Sequence, residues 1–165
     1  LVSGKRRREP SMKGKKMLVL VDLQTQFFIE AASVLSNVAS EIPMHRDIAL
    51  VNFRGCGRCL VTSDWFNSCQ RVIRVSKKDV SGAKEIAAKI PISEHLVFGG
   101  VYTSECVGET IEDLVAMGYS TEILVPLCCD ASYTSPAGTE DFLKKLEDIG
   151  VKVVRNLGFS RNNYR

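Results

Sequence analysis

Histidine is scarce in this sequence: of 165 residues only His45 and His95 are histidine, and His95 opens a strand-like run away from any candidate site. A Cys-His dyad therefore finds little support. Long apolar runs are also missing. The longest, 17–21 and 123–127, fall far short of the roughly 20 residues that a membrane span requires, so no span is expected. The start of the chain is basic (Lys5, Arg6, Arg7, Arg8, Lys13, Lys15, Lys16) but carries no apolar stretch before Met17. It does not read as a secretory signal, and a cytoplasmic setting is the expectation. Cys56-Gly-Arg-Cys59 stands without a second pair or a nearby histidine, so neither a zinc site nor a redox centre is expected there. The six cysteines read as reduced thiols. Aromatic residues make up only 7%, and the net charge of +3 is concentrated in the basic start. Nucleic-acid binding would call for basic and aromatic residues interleaved on a folded face, and it is not expected.

What the chain does contain is 45% hydrophobic residues, enough for one domain with a core on both sides of a sheet. Strand-like runs rich in β-branched residues fall at 17–22, 59–63, 71–76, 95–100, 121–127 and 151–155. Helical patterns fall at 31–53 with a break at Pro43, at 84–90, at 106–117 and at 139–149; the last two are each followed by glycine, Gly118 and Gly150. Strands alternating with helices predict an α/β fold with a parallel sheet covered on both faces. The seven residues between 63 and 71 are the exception, being too few for a crossover helix. The expected organisation is a basic tail over 1–16 (natural and unstructured, or a cloning remnant), a domain over 17–158 and a short tail over 159–165.

Open parallel sheets bind ligands outside the carboxyl ends of their strands. Asp22, Asp64, Lys77 and the loop before Cys106 all fall at such ends. A carboxylate leaving a buried strand, such as Asp22, gains proton affinity by desolvation, as a general base needs. Lys77 leaves its strand at the same edge, although Lys78 competes for the assignment. Cys106 follows a strand, two glycines and a short polar loop, and is placed at the start of the 106–117 helix. Free N–H groups and a helix dipole there would favour a thiolate and hold an oxyanion. The alternative is a small buried side chain in the core.

Together these segments resemble the isochorismatase-like cysteine hydrolases, the superfamily of nicotinamidases and N-carbamoylsarcosine amidase. Met-Leu-Val-Leu-Val-Asp22-Leu-Gln-Thr-Gln-Phe-Phe28 resembles the family's opening strand with its catalytic Asp. Lys77-Lys-Asp-Val-Ser81 resembles the segment in which the family's lysine precedes a serine by four positions, which favours Lys77 over Lys78. Gly100-Val-Tyr-Thr-Ser-Glu-Cys106-Val-Gly-Glu-Thr110 resembles the nucleophile motif, and Cys129-Asp-Ala-Ser132 continues it.

The resemblance implies a three-layer α/β/α, Rossmann-like fold with a six-stranded parallel sheet in the order 3-2-1-4-5-6. It also implies a cis peptide before Tyr102, a catalytic set of Asp22, Lys77 and Cys106, and an oxyanion hole from the Tyr102 and Cys106 amides. Phe28, Asp64 and Trp65 are the candidates for the substrate pocket. The implied function is hydrolysis of a small amide-like molecule through a Cys106 thioester, without cofactor; a homo-oligomer is implied by analogy alone. Metal-using nicotinamidases carry Asp-x-His where this chain reads Asp64-Trp65-Phe66, so no metal is expected. The segment Trp65 to Arg71 is shorter than in the family, and Tyr102 replaces a small residue. The shortened segment leaves a second expectation open: an inactive relative that serves as a binding or assembly protein.

Overall fold

The computed structural model describes residues 15–158. The expectations for residues 1–14 and 159–165 lie outside them. Six strands, β1 (Lys16–Val21), β2 (Asp47–Phe53), β3 (Arg71–Lys77), β4 (His95–Val101), β5 (Ser120–Cys129) and β6 (Lys152–Val154), form one sheet. All neighbours run parallel, in the order β3-β2-β1-β4-β5-β6. Lys16 pairs with His95 and so belongs to the sheet rather than to the basic start.

The alternation of side chains along a strand assigns the two faces. From β1, Met17, Val19 and Val21 point to the layer built by Ile86, Ile111, Leu114, Leu143 and Leu146. These come from α2 (Ala83–Ala87), α3 (Gly108–Ala116) and α4 (Pro136–Asp148). Leu18 and Leu20 point the other way, to Val34 and Val38 of α1 (Phe28–Glu41) and to Val61 and Phe66. With both faces covered, the central strands are apolar throughout.

The largest correction to the sequence reading falls in residues 31–63. Residues 31–53 are not all helical: α1 ends at Glu41, Pro43 sits in a single 3-10 turn (Ile42–Met44), and residues 47–53 are β2. The run Ile48-Ala-Leu-Val51 is too short for its period to separate helix from strand, and pairing with both β1 and β3 decides the matter. Residues 59–63 are then no strand, because both edges of β2 are occupied. Cys59 keeps an isolated antiparallel bridge to Gln24, and Val61 packs in the core. The β2–β3 connection thus spans residues 54–70 and uses a 3-10 turn (Ser63–Phe66) where a crossover helix usually sits. That removes the difficulty of the seven-residue link.

Strand order reverses about β1: β2 and β3 lie to one side of it, β4 to β6 to the other. The carboxyl ends of β1 and β4 meet at this switch point, where a crevice forms in such sheets. Gly100 makes the close approach there. Its φ is +127°, and a Cβ would stand 2.1 Å from the Val21 carbonyl oxygen. Farther out, the β4–β5 register slips after Phe98, and Gly99 lies against Leu127 where the slip occurs. Gly100→Ala is expected to destabilise the fold by about 3 kcal/mol or more, through steric overlap with immovable backbone. Urea unfolding of the two proteins measures it, and a loss under about 1 kcal/mol would contradict this account of the switch point.

Candidate active site

Asp22 is the first residue beyond β1, with φ +54°, the only left-handed non-glycine backbone among the described residues. Asp tolerates that region better than most side chains, and such conformations concentrate at functional sites. The turn is pinned by the Asp22 N–H donating to the Val51 carbonyl (2.8 Å) and by the Gln24 N–H donating to the Asp22 carbonyl (2.8 Å). Gln24 fastens the same turn to the end of β2. Its Nε2 donates to the Phe53 and Gly57 carbonyls, each at 3.0 Å, and its Oε1 accepts from the Phe53 N–H at 2.7 Å.

Lys77 ends β3 and is completely buried, whereas Lys78 is exposed. Its Nζ lies 2.9 Å from Asp22 Oδ2 and donates to the carbonyls of Asp79 (3.1 Å) and Val80 (2.8 Å). It also stands 4.1 Å from the centre of the Phe53 ring, a cation–π contact. Of the two candidate lysines, Lys77 is the buried one and the one that meets Asp22.

Cys106 completes the group. It lies within a π-helical turn (Thr103–Val107) ahead of α3, not at the first turn of a regular α-helix. Its thiol interacts with the Asp22 carboxylate and the Lys77 ammonium. The Val101–Tyr102 peptide is cis. The Tyr102 ring meets Phe27 edge to face at 5.6 Å. Phe28 itself is 57% exposed, Asp64 is exposed, and Trp65 packs with the Leu18–Leu20 face of the core. Phe66, at the third position of Asp64-Trp65-Phe66, is a core residue with no ligating atom.

Electrostatics differ from what a helix start suggests. Burial raises the proton affinity of Asp22, with the Lys77 charge opposing it. Neither carboxylate oxygen accepts a well-aligned hydrogen bond, so the ammonium is its main support. Burial, and then the Asp22 charge, push the Cys106 thiol up to about 12 against the pull of Lys77. The resting site thus holds a thiol beside an ion pair, and the thiolate favoured by a bare helix terminus is not what forms here. Moving the thiol proton onto Asp22 turns one neutral set into another, thiolate with ammonium, so no net charge enters the buried space.

Two supporting groups escaped the sequence reading. Asp130, after β5, accepts from the Ser104 N–H (3.2 Å) and hydroxyl (2.9 Å) through Oδ1, and from the Thr139 hydroxyl (2.8 Å) through Oδ2. It ties the Cys106 turn to α4. Thr110 donates to the Cys106 carbonyl (2.6 Å) and accepts from the Gly82 N–H (2.9 Å), joining the turn to the loop that holds Lys77. Both lay in segments matched to the nucleophile motif, but one partner of each, Ser104 and Gly82, is distant in sequence.

The same architecture recurs in solved structures. A nicotinamidase from Staphylococcus aureus superposes with a TM-score of 0.70 over 87% of this chain and 99% of its own, at 16% identity. The chain has the isochorismatase-like α/β fold. An isochorismatase-like hydrolase from Alkaliphilus metalliredigens superposes at 0.63 (19% identity, 90% and 98% covered). An octameric Escherichia coli hydrolase of unknown specificity gives 0.66 (11% identity, 85% and 74% covered). No protein-family model matches the sequence, and no curated protein does. The six-stranded order implied by the sequence resemblance is the one found for this isochorismatase-like fold.

The thiol chemistry yields a signed prediction. Iodoacetamide should modify wild-type Cys106 slowly at pH 7.5, with a rate rising about tenfold per pH unit toward pH 11. Asp22→Asn removes the charge that raises the thiol and should speed modification at pH 7.5. Peptide mass spectrometry locates the label; a slower reaction in Asp22→Asn would reverse the assigned electrostatics.

Proposed function

We propose that the protein hydrolyses a small carboxamide or closely related molecule through a thioester on Cys106. The observation that carries this reading is the buried Asp22–Lys77 ion pair set against the Cys106 thiol at the carboxyl edge of the sheet. A core cysteine needs no such partners, and a buried carboxylate with raised proton affinity is suited to take its proton.

In the first half-reaction, Asp22 accepts the Cys106 proton as sulfur bonds to the carbonyl carbon, and the carbonyl π electrons move to oxygen. The Tyr102 and Cys106 backbone N–H groups are the assigned donors to that oxyanion. Its collapse breaks the C–N bond, and Asp22 returns the proton to the leaving nitrogen. Water then attacks the thioester while Asp22 takes its proton; collapse breaks the C–S bond, and the sulfur regains a proton. The Lys77 ammonium offsets whichever anion, carboxylate or thiolate, is present. The substrate is a small molecule. The octameric Escherichia coli neighbour supports a homo-oligomer, and a fold without a membrane-spanning helix among the described residues fits the cytoplasmic setting.

A panel of small carboxamides, beginning with nicotinamide, tests the proposal by ammonia release and by intact-mass detection of an acylated protein. Cys106→Ala and Asp22→Asn should each lower kcat/KM on the order of a thousandfold or more while retaining the wild-type circular dichroism. Equal turnover by wild type and Cys106→Ala would exclude the thioester. A chain that binds these amides without turning any over would instead be the non-catalytic binding protein.

A further inference from the structure

The opposite edge of the sheet, where the strands begin, holds a second feature. An open cavity of 260 Å³ lies there, lined by Lys15, Lys16, Met44, His45, Arg46, Asp47 and Gln70. It is formed at the amino ends of β1, β2 and β3, whereas Asp22 and Lys77 stand at the carboxyl ends of β1 and β3. The cavity therefore does not belong to the Cys106 site.

Charge pairing at this edge leaves an excess of one sign. Glu41 bonds His45 (2.9 Å); Asp47 and Glu94 share Arg71 (3.1 and 2.6 Å). Glu122, buried in β5, is surrounded by Lys16 (3.6 Å), His95 (3.1 Å) and Lys152 (3.7 Å). Each of these carboxylates thus already has a basic partner, one of them, Arg71, being shared. Two cations on the cavity wall, Lys15 and Arg46, have no carboxylate partner among the described residues.

Arg46 is nevertheless held in place. Its Nη2 donates to Gln70 Oε1, a neutral acceptor, and its carbonyl accepts from the Gln70 and Arg71 N–H groups (2.7 and 3.2 Å). A positioned guanidinium and an ammonium lining one open cavity match an oxyanion that takes paired N–H donors and a point charge. The volume falls below the roughly 300–1,000 Å³ of drug-sized sites, so the ligand is small. Exposed Met44 offers one apolar wall.

We propose that the cavity formed by Arg46, Lys15 and Gln70 at the amino edge of the sheet is a binding site for a phosphate group, carried free or on a small organic monoester. The guanidinium binds two phosphate oxygens, the Lys15 ammonium neutralises the remaining charge, and the organic part of a monoester lies along Met44. The site is independent of the chemistry assigned to Cys106.

Isothermal titration with inorganic phosphate, and separately with phenyl phosphate, tests this at constant ionic strength set with sodium chloride. Wild type should bind with a saturable millimolar or tighter affinity, and Arg46→Gln should weaken it at least tenfold. Lys15→Gln should weaken it severalfold. Both variants change exposed side chains, and unchanged thermal unfolding in chloride confirms that they fold. Phenyl phosphate binding more tightly than phosphate identifies a monoester site; equal affinities identify free phosphate as the ligand. No saturable binding to wild type, or binding that survives in Arg46→Gln, overturns the proposal.

Discussion

A single ion pair, Asp22 with Lys77, constrains how the carboxyl half of this sheet is built. Both side chains are fully buried, and removing either would strand a charge in the core, a loss of roughly 3–5 kcal/mol in comparable pairs. Several local features serve it. The left-handed turn at Asp22 aims the carboxylate, the Asp79 and Val80 carbonyls cradle the ammonium, and Gly82 leaves room for the lysine stem, with a Cβ there only 3.1 Å from Lys77 Cδ. Such a pair is an expensive way to stabilise a core, since well-packed apolar groups serve as well or better. Its placement against a thiol is what the proposed hydrolysis would use.

The turn that carries Cys106 depends on the same economy of fixed polar groups. Asp130 holds it from the α4 side and Thr110 from the Lys77 loop, so Cys106 is located by hydrogen bonds to two different connections. Gly108 allows α3 to approach Phe142, where a Cβ would come within 2.3 Å of the ring. Reactive groups supported in this way keep their geometry when a ligand enters, because the supporting shell and not the ligand sets it.

Much of this was legible in the sequence, for identifiable reasons. Asp22 and Lys77 could be placed because each closes a β-branched run, and strand ends are where an open parallel sheet binds ligands. Cys106 could be placed by its loop and by resemblance, but its electrostatics could not: the burial and the Asp22 charge that raise the thiol come from tertiary contacts. β2 was misread because its short apolar run fits both periods, and a buried strand announces itself only through its neighbours. Asp130 and Thr110 were invisible as supports since each joins a near neighbour in the chain, Thr139 and Cys106, to a partner 26 or 28 residues away, Ser104 and Gly82. The phosphate cavity likewise has no linear motif; Lys15, Arg46 and Gln70 converge only when β1, β2 and β3 align.

Lys77 is donated by an edge strand, β3, and reaches past β2 to a residue at the end of β1. Neighbouring strands lie about 4.8 Å apart, so the gap across β2 approaches 10 Å, and only a long side chain closes it. The outermost strand is thereby laced to the middle of the sheet. Proteins open locally as well as globally, and any opening of β3 withdraws the ammonium from Asp22. Loss of the Asp22–Lys77 pairing and exposure of the β3 edge are consequently one event, so the state of the pair reports the state of that edge.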